Sequence, residues 1–130
     1  MKKVRFFFPA ILYYLLIFIL SSQAIDIDLP GRGLDKLAHF IEFSLLGFLL
    51  SIGYFNAFAF SCAVKSVLVF FTGLPLGILD ELHQLFVPRR TGALGDVMAD
   101  AAGIIAGILI YLYLAGRKRR VPPGRIKRAT

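Results

Sequence analysis

The chain has 130 residues, 58% of them apolar, and a formal net charge of +7. A chain this oily is not an ordinary soluble domain, and it is too short for more than one folded unit. The lone Cys62 excludes an intramolecular disulfide, and neither metal-binding cysteine pairs nor a glycine-rich phosphate loop occurs.

Four apolar stretches approach the ~20 residues that a helix needs to cross a bilayer core. The first, 6–22, tolerates Pro9 in its opening turn. Its basic start and the Ser22-Gln23-Ala24 triplet also fit a cleavable signal peptide, and cleavage after Ala24 leaves three spans. The second, 37–55, is apolar despite His39 and Glu42. The third, 64–86, contains Pro75, which is expected to kink it, and ends before Pro88. The fourth, 96–115, cannot extend far, because Pro122 and Pro123 follow. Turn-forming residues fill the connections 23–36, 56–63 and 87–95. The expected fold is all-α: a polytopic four-transmembrane-helix bundle over residues 1–116, with a basic tail at 117–130.

Charge is divided between the two ends of these stretches. Lys2, Lys3, Arg5, Lys65, Arg117, Lys118, Arg119, Arg120, Arg125, Lys127 and Arg128 fall on one side. Arg32, Lys36, Arg89 and Arg90 fall on the other with all 8 acidic residues, Asp26 and Asp28 included. An excess of Lys and Arg marks the cytoplasmic side, so both termini are expected in the cytoplasm of a bacterial inner-membrane protein. The basic tail reads as an anchor for anionic lipid headgroups rather than a nucleic-acid site.

Charges within spans are costly, about 2.5–3.5 kcal/mol each at a helix centre, so their placement carries information. Asp35, His39 and Glu42 stand at helical spacing on one face of the second span. Glu42 lies ~10 Å deeper than Asp35 and must be neutral or held by a partner. Asp80, His83 and Gln84 share a face of the third span, which Gly73 and Gly77 continue inward. Glu81 is rotated from them by ~100° and is expected at the interface. Asp96, Asp100, Gly103 and Gly107 form the stripe of the fourth span, and glycines four apart allow close helix approach. Packing the three stripes together surrounds one outward-opening pocket with Asp35, His39, Glu42, Asp80, His83, Gln84, Asp96 and Asp100, while Arg89 and Arg90 reach back over it. Asp35, Lys36, Glu81 and Asp96 read more simply as interfacial charges fastening helix ends.

These segments resemble the VanZ-like family of small bacterial membrane proteins. The resemblance rests on Ser21-Ser22-Gln23, on Asp35-Lys36-x-x-His39-Phe40-x-Glu42, on Gly77-x-x-Asp80-Glu81-x-His83-Gln84-x-Phe86-x-Pro88-x-Arg90 and on Asp96-x-x-x-Asp100-x-x-Gly103. It implies a retained first span, a four-helix membrane fold and a cell-envelope role associated with teicoplanin-type glycopeptide resistance, but no reaction. Three positions depart from the family pattern: Phe43 replaces the usual Tyr, Arg89 a common Gly, and Asp100 the more usual Asn. The last adds negative charge and favours protonation or cation occupancy.

Three functions compete on these residues. The first is a non-catalytic protein binding a lipid-linked cell-wall precursor, a glycan-bearing ligand or a glycopeptide through His39, Glu42, Asp80, His83, Gln84, Arg90 and Asp100. The second is a small membrane enzyme with Glu42 or Asp100 as general base and His83 as acid. The third is a proton- or cation-coupled transporter working through Glu42 and Asp100. No cofactor is expected, the one exception being a divalent cation between His39, His83 and Asp80. Membrane lipids are the expected partners, nucleic acid is not, and the glycine-lined faces suit a homo-oligomer.

Overall fold

The computed structural model describes residues 3–23, 32–88, 90 and 92–120. They form four helices, α1 (Phe8–Ser21), α2 (Arg32–Ala57), α3 (Cys62–Gln84) and α4 (Leu94–Arg120), preceded by a 3-10 turn at Val4–Phe6, and no strand occurs among the described residues. Asp26, Asp28, Arg89 and the tail beyond Arg120, all part of the sequence reading, lie outside the described residues.

Side-chain contacts fix the helix directions. Tyr14 bonds the Leu76 carbonyl and Ser21 bonds Asp80, so α1 and α3 run parallel. Lys36 meets Asp96 and Phe55 stacks near Tyr111, so α2 and α4 run parallel to each other. His39 beside Glu81 and Tyr54 bonded to Thr72 set α2 against α3. The chain therefore passes up, down, up and down. All the described acidic residues gather at one end, and Lys3, Lys65 and Arg117 lie over Phe58, Phe55 and Tyr113 at the other.

Gly33–Ala57, Cys62–Gln84 and Leu94–Lys118 are long and apolar enough to cross a membrane. The first helix is shorter than the 6–22 stretch suggested, with 14 residues rising only ~21 Å. Pro9 sits at its first turn, behind the 3-10 turn. At the other end the Ser22 hydroxyl turns back to the Phe18 carbonyl at 2.6 Å, an alternative to continuing the backbone ladder. α3 begins where Ser61 Oγ caps the Val64 N–H and runs through Pro75 as one helix.

The first two helices each bury residues at helical spacing. Ala10, Ile17 and Ser21 face inward from α1, and His39, Phe43, Leu46 and Leu50 from α2, both at helical spacing. Phe43, Leu46, Val69 and Ile104 are fully enclosed at the centre. Among the described residues the α2–α4 seam is the closest approach of two helix backbones. A Cβ on Gly103 would lie 2.5 Å from the Phe40 carbonyl oxygen, one on Gly47 would lie 2.7 Å from that of Ile104, and one on Gly107 would overlap the Ser44 carbonyl. In a membrane, where lipid is as apolar as the side chains, such backbone approach is a principal source of association energy. Gly107→Ala is therefore expected to destabilise the protein by about 1–3 kcal/mol, as overpacking does. Gly116→Ala, with nothing within 4 Å of the new methyl, is the control, and thermal unfolding in detergent measures both.

Candidate functional site

The register of the α2–α4 seam continues upward into charge. One turn above the Phe40–Gly103 contact, His39 Nδ1 lies 3.0 Å from Asp100 Oδ1. One turn higher, Lys36 Nζ meets Asp96 Oδ1 at 2.7 Å. The Lys36 side chain is 47% exposed and that of Asp96 is 4% exposed, so a wet ammonium leans over a buried carboxylate. Asp35, one residue back, is exposed.

Glu81 corrects the sequence reading, which put it at the interface. It is buried, with Oε1 3.5 Å from His39 Nδ1 and Oε2 accepting the Ala93 N–H at 3.0 Å. α3 is flanked on two sides, so its buried polar residues do not fall on a single stripe. Asp80 and Gln84 face α1, and the next residue round the helix faces α2 and the start of α4. A carboxylate oxygen remains unpartnered on both Glu81 (Oε1) and Asp100 (Oδ2) among the described residues. Asp100 Oδ2 lies over Gly77, where a Cβ would sit 2.9 Å from it.

A second contact closes the α1–α3 face. Asp80 is buried and receives two neutral donors, Ser21 Oγ at 2.6 Å and Gln84 Nε2 at 2.9 Å. His83, one turn outward, has Nε2 2.9 Å from Ser22 Oγ, and its ring stacks on Phe18 at 4.2 Å. The two serines were legible only as part of a family motif. Nothing in their periodicity marks a residue at the end of an apolar helix as the donor to a carboxylate 59 positions away.

Glu42 and Arg90 complete the polar end. Glu42 is partly buried and lies within electrostatic range of His39, Asp80, Asp100 and Arg90, and of Tyr13 on α1. Arg90 is partly buried just past α3, its N–H bonded to the Val87 carbonyl. The structure thus gathers His39, Glu42, Asp80, His83, Gln84, Arg90 and Asp100 at one end of the bundle. It shares them among separate helix–helix contacts: His39–Asp100–Glu81 between α2, α3 and α4, and Asp80–Ser21–Gln84 with His83–Ser22 between α1 and α3. His39 and Asp80 fall in different contacts, and the acidic partners gathered round His39 are Glu81 and Asp100.

An all-helical chain with three membrane-length apolar helices and buried ionisable groups at one end is a multi-pass membrane protein. The VanZ/LLP1 family model matches residues 2–115, and the chain belongs to this VanZ-like family. No curated protein and no solved structure matches it.

The Ser21–Asp80 bond is one of the polar attachments of the short α1 to the bundle, beside Tyr14–Leu76 and Ser22–His83. Ser21→Ala leaves a buried carboxylate oxygen without its donor, so a loss of about 1–3 kcal/mol is expected. Asp80→Asn together with Ser21→Ala should lose less than the sum of the single changes. A double-mutant cycle by chemical unfolding measures this coupling.

Proposed function

We propose that the protein lies in the bacterial cytoplasmic membrane with its basic end and both termini inside, and that its polar end binds the head of a lipid-linked or glycan-bearing envelope ligand. The orientation is supported by the excess of Lys and Arg at the end opposite the acids. The observation that carries the binding reading is Arg90. It is partly buried at the polar end, and among the described residues it forms no ion pair.

A guanidinium held in this way suits a bidentate contact with a phosphate or carboxylate. Around it, Glu42 and His83 are partly accessible and Ser22 is exposed, offering donors and acceptors to a sugar or amide. Beneath them Asp80 is already satisfied by Ser21 and Gln84, so it forms a floor rather than a contact. An amphiphile suits this position, because its apolar part stays in lipid while its head reaches the rim. The family resemblance to teicoplanin-resistance proteins supports a cell-wall precursor or the glycopeptide itself as the ligand.

Native mass spectrometry of gently solubilised protein is expected to show a bound anionic amphiphile. Occupancy should fall about tenfold or more in Arg90→Ala, the loss expected for a charge-assisted hydrogen bond. Equal occupancy in the two folded proteins overturns the reading.

A second reading, a small membrane enzyme acting on a lipid-linked precursor, is favoured by one observation: two buried carboxylates converge on His39 Nδ1. Asp100 or Glu42 would serve as base, with a histidine carrying the proton. Loss of phenotype in Glu42→Gln with folding intact supports it.

A further inference from the structure

We propose that His39, Glu81 and Asp100 form a binding site for one divalent transition-metal ion, held inside the bundle where α2, α3 and α4 meet. The three residues are buried, and each offers a ligand atom within 4.8 Å of the others. Charge, unmet bonding capacity and spacing at these three residues all favour a cation, independently of the Arg90 rim.

Charge comes first. The Glu81 side chain is 7% exposed and that of Asp100 is 0% exposed, so neither is neutralised by water. A protonated imidazole at His39 carries one positive charge against two carboxylates. With both carboxylates ionised it leaves a net negative centre in a medium where each uncompensated charge costs several kcal/mol. A divalent ion with a neutral imidazole balances both carboxylates. The neighbouring cations do not meet this charge: Lys36 holds Asp96, and among the described residues no ion pair joins Arg90 to Glu81 or Asp100.

The unmet bonds point the same way. A single Nδ1–H donates to Asp100 Oδ1 at 3.0 Å and cannot also serve Glu81 Oε1 at 3.5 Å with good geometry. Glu81 Oε1 is enclosed and without a hydrogen-bond partner among the described residues, and it faces His39. Its sister Oε2 is anchored by the Ala93 N–H, which fixes the direction of the free oxygen. Asp100 Oδ2 is likewise without a hydrogen-bond partner among the described residues and packs directly against Gly77, where a Cβ would lie 2.9 Å from it.

Spacing agrees with coordination. Bonds near 2.1 Å put adjacent ligand atoms ~3.0 Å apart in an octahedron and ~3.4 Å apart in a tetrahedron. The two distances from His39 Nδ1, 3.0 and 3.5 Å, span these values. One imidazole with two carboxylates is a mixed nitrogen–oxygen set, which suits manganese or zinc better than magnesium or calcium. The other acid group around His39, Asp35 with Asp96, is a poorer alternative. Asp35 is exposed, and the Lys36 ammonium already occupies Asp96.

The test uses the full chain purified in detergent, stripped with a chelator and titrated with Mn²⁺ and, separately, with Zn²⁺. Saturable binding of one ion per chain is expected, with a rise in melting temperature, since the ion binds the folded state. Binding should weaken at least tenfold in Glu81→Gln and in Asp100→Asn, with helical circular dichroism confirming that the variants fold. Bound Mn²⁺ should show hyperfine coupling to one imidazole nitrogen by pulsed electron paramagnetic resonance, and lose it in His39→Gln. The nitrogen coupling in the unmutated protein decides the matter even if the variants fail to fold. Absence of saturable binding of either ion, absence of nitrogen coupling, or undiminished affinity in the folded carboxylate variants overturns the proposal.

Discussion

The backbones of α2 and α4 touch through glycine, and the rest of the polar end depends on that contact. Gly103 lies against the Phe40 carbonyl and Gly107 against that of Ser44. Two helices held this closely have one workable register, because sliding by a turn would drive a side chain into a carbonyl. The same register lifts His39 to Asp100 and Lys36 to Asp96. An apolar contact that a soluble protein would use only for packing here determines which charges meet.

Low dielectric then governs how the polar groups are shared. A buried carboxylate in a membrane protein needs donors or a counter-charge, and each of these acids takes the nearest available. Asp80 takes the Ser21 hydroxyl and the Gln84 amide. Asp96 takes Lys36, whose long stem lets the ammonium stay wet. Asp100 and Glu81 converge on one nitrogen, Nδ1, of His39, and each keeps an oxygen without a hydrogen-bond partner among the described residues. The interior is therefore settled on its α1 side and under-compensated on its α4 side, and those two conditions suit different roles. A satisfied floor supports a rim that binds from outside, whereas unmet acceptors around a histidine call for a cation.

The short first helix shows how much of the assembly rests on polar rather than apolar contact. α1 exposes many large apolar side chains, among them Ile11, Leu12, Leu15, Leu16 and Ile19. Those surfaces face lipid and add little to its attachment. Its inward arc is held by Tyr14 on the Leu76 carbonyl, by Ser21 on Asp80 and by Ser22 beside His83. Phe7 packs at its base over Gly53, edge-on to Tyr54.

Helix identity, the alternation of direction and the separation of acidic from basic ends were determined by the sequence itself. They follow from run length, from helical spacing and from where Lys and Arg fall, all of which are local properties. The glycine stripes of α3 and α4 were legible for the same reason: residues four apart share a face in any helix. Which face of α3 met which neighbour was decided only by tertiary structure. Glu81 looked peripheral because periodicity describes one stripe per helix, and α3 is buried on two. Ser21 and Ser22 looked like the end of an apolar run, until folding brought them to Asp80 and His83 across 59 and 61 positions. Likewise His39 was visible as a polar residue in an apolar span, but its partners on α3 and α4 were set by the close approach of backbones. No pattern within one segment encodes such an approach.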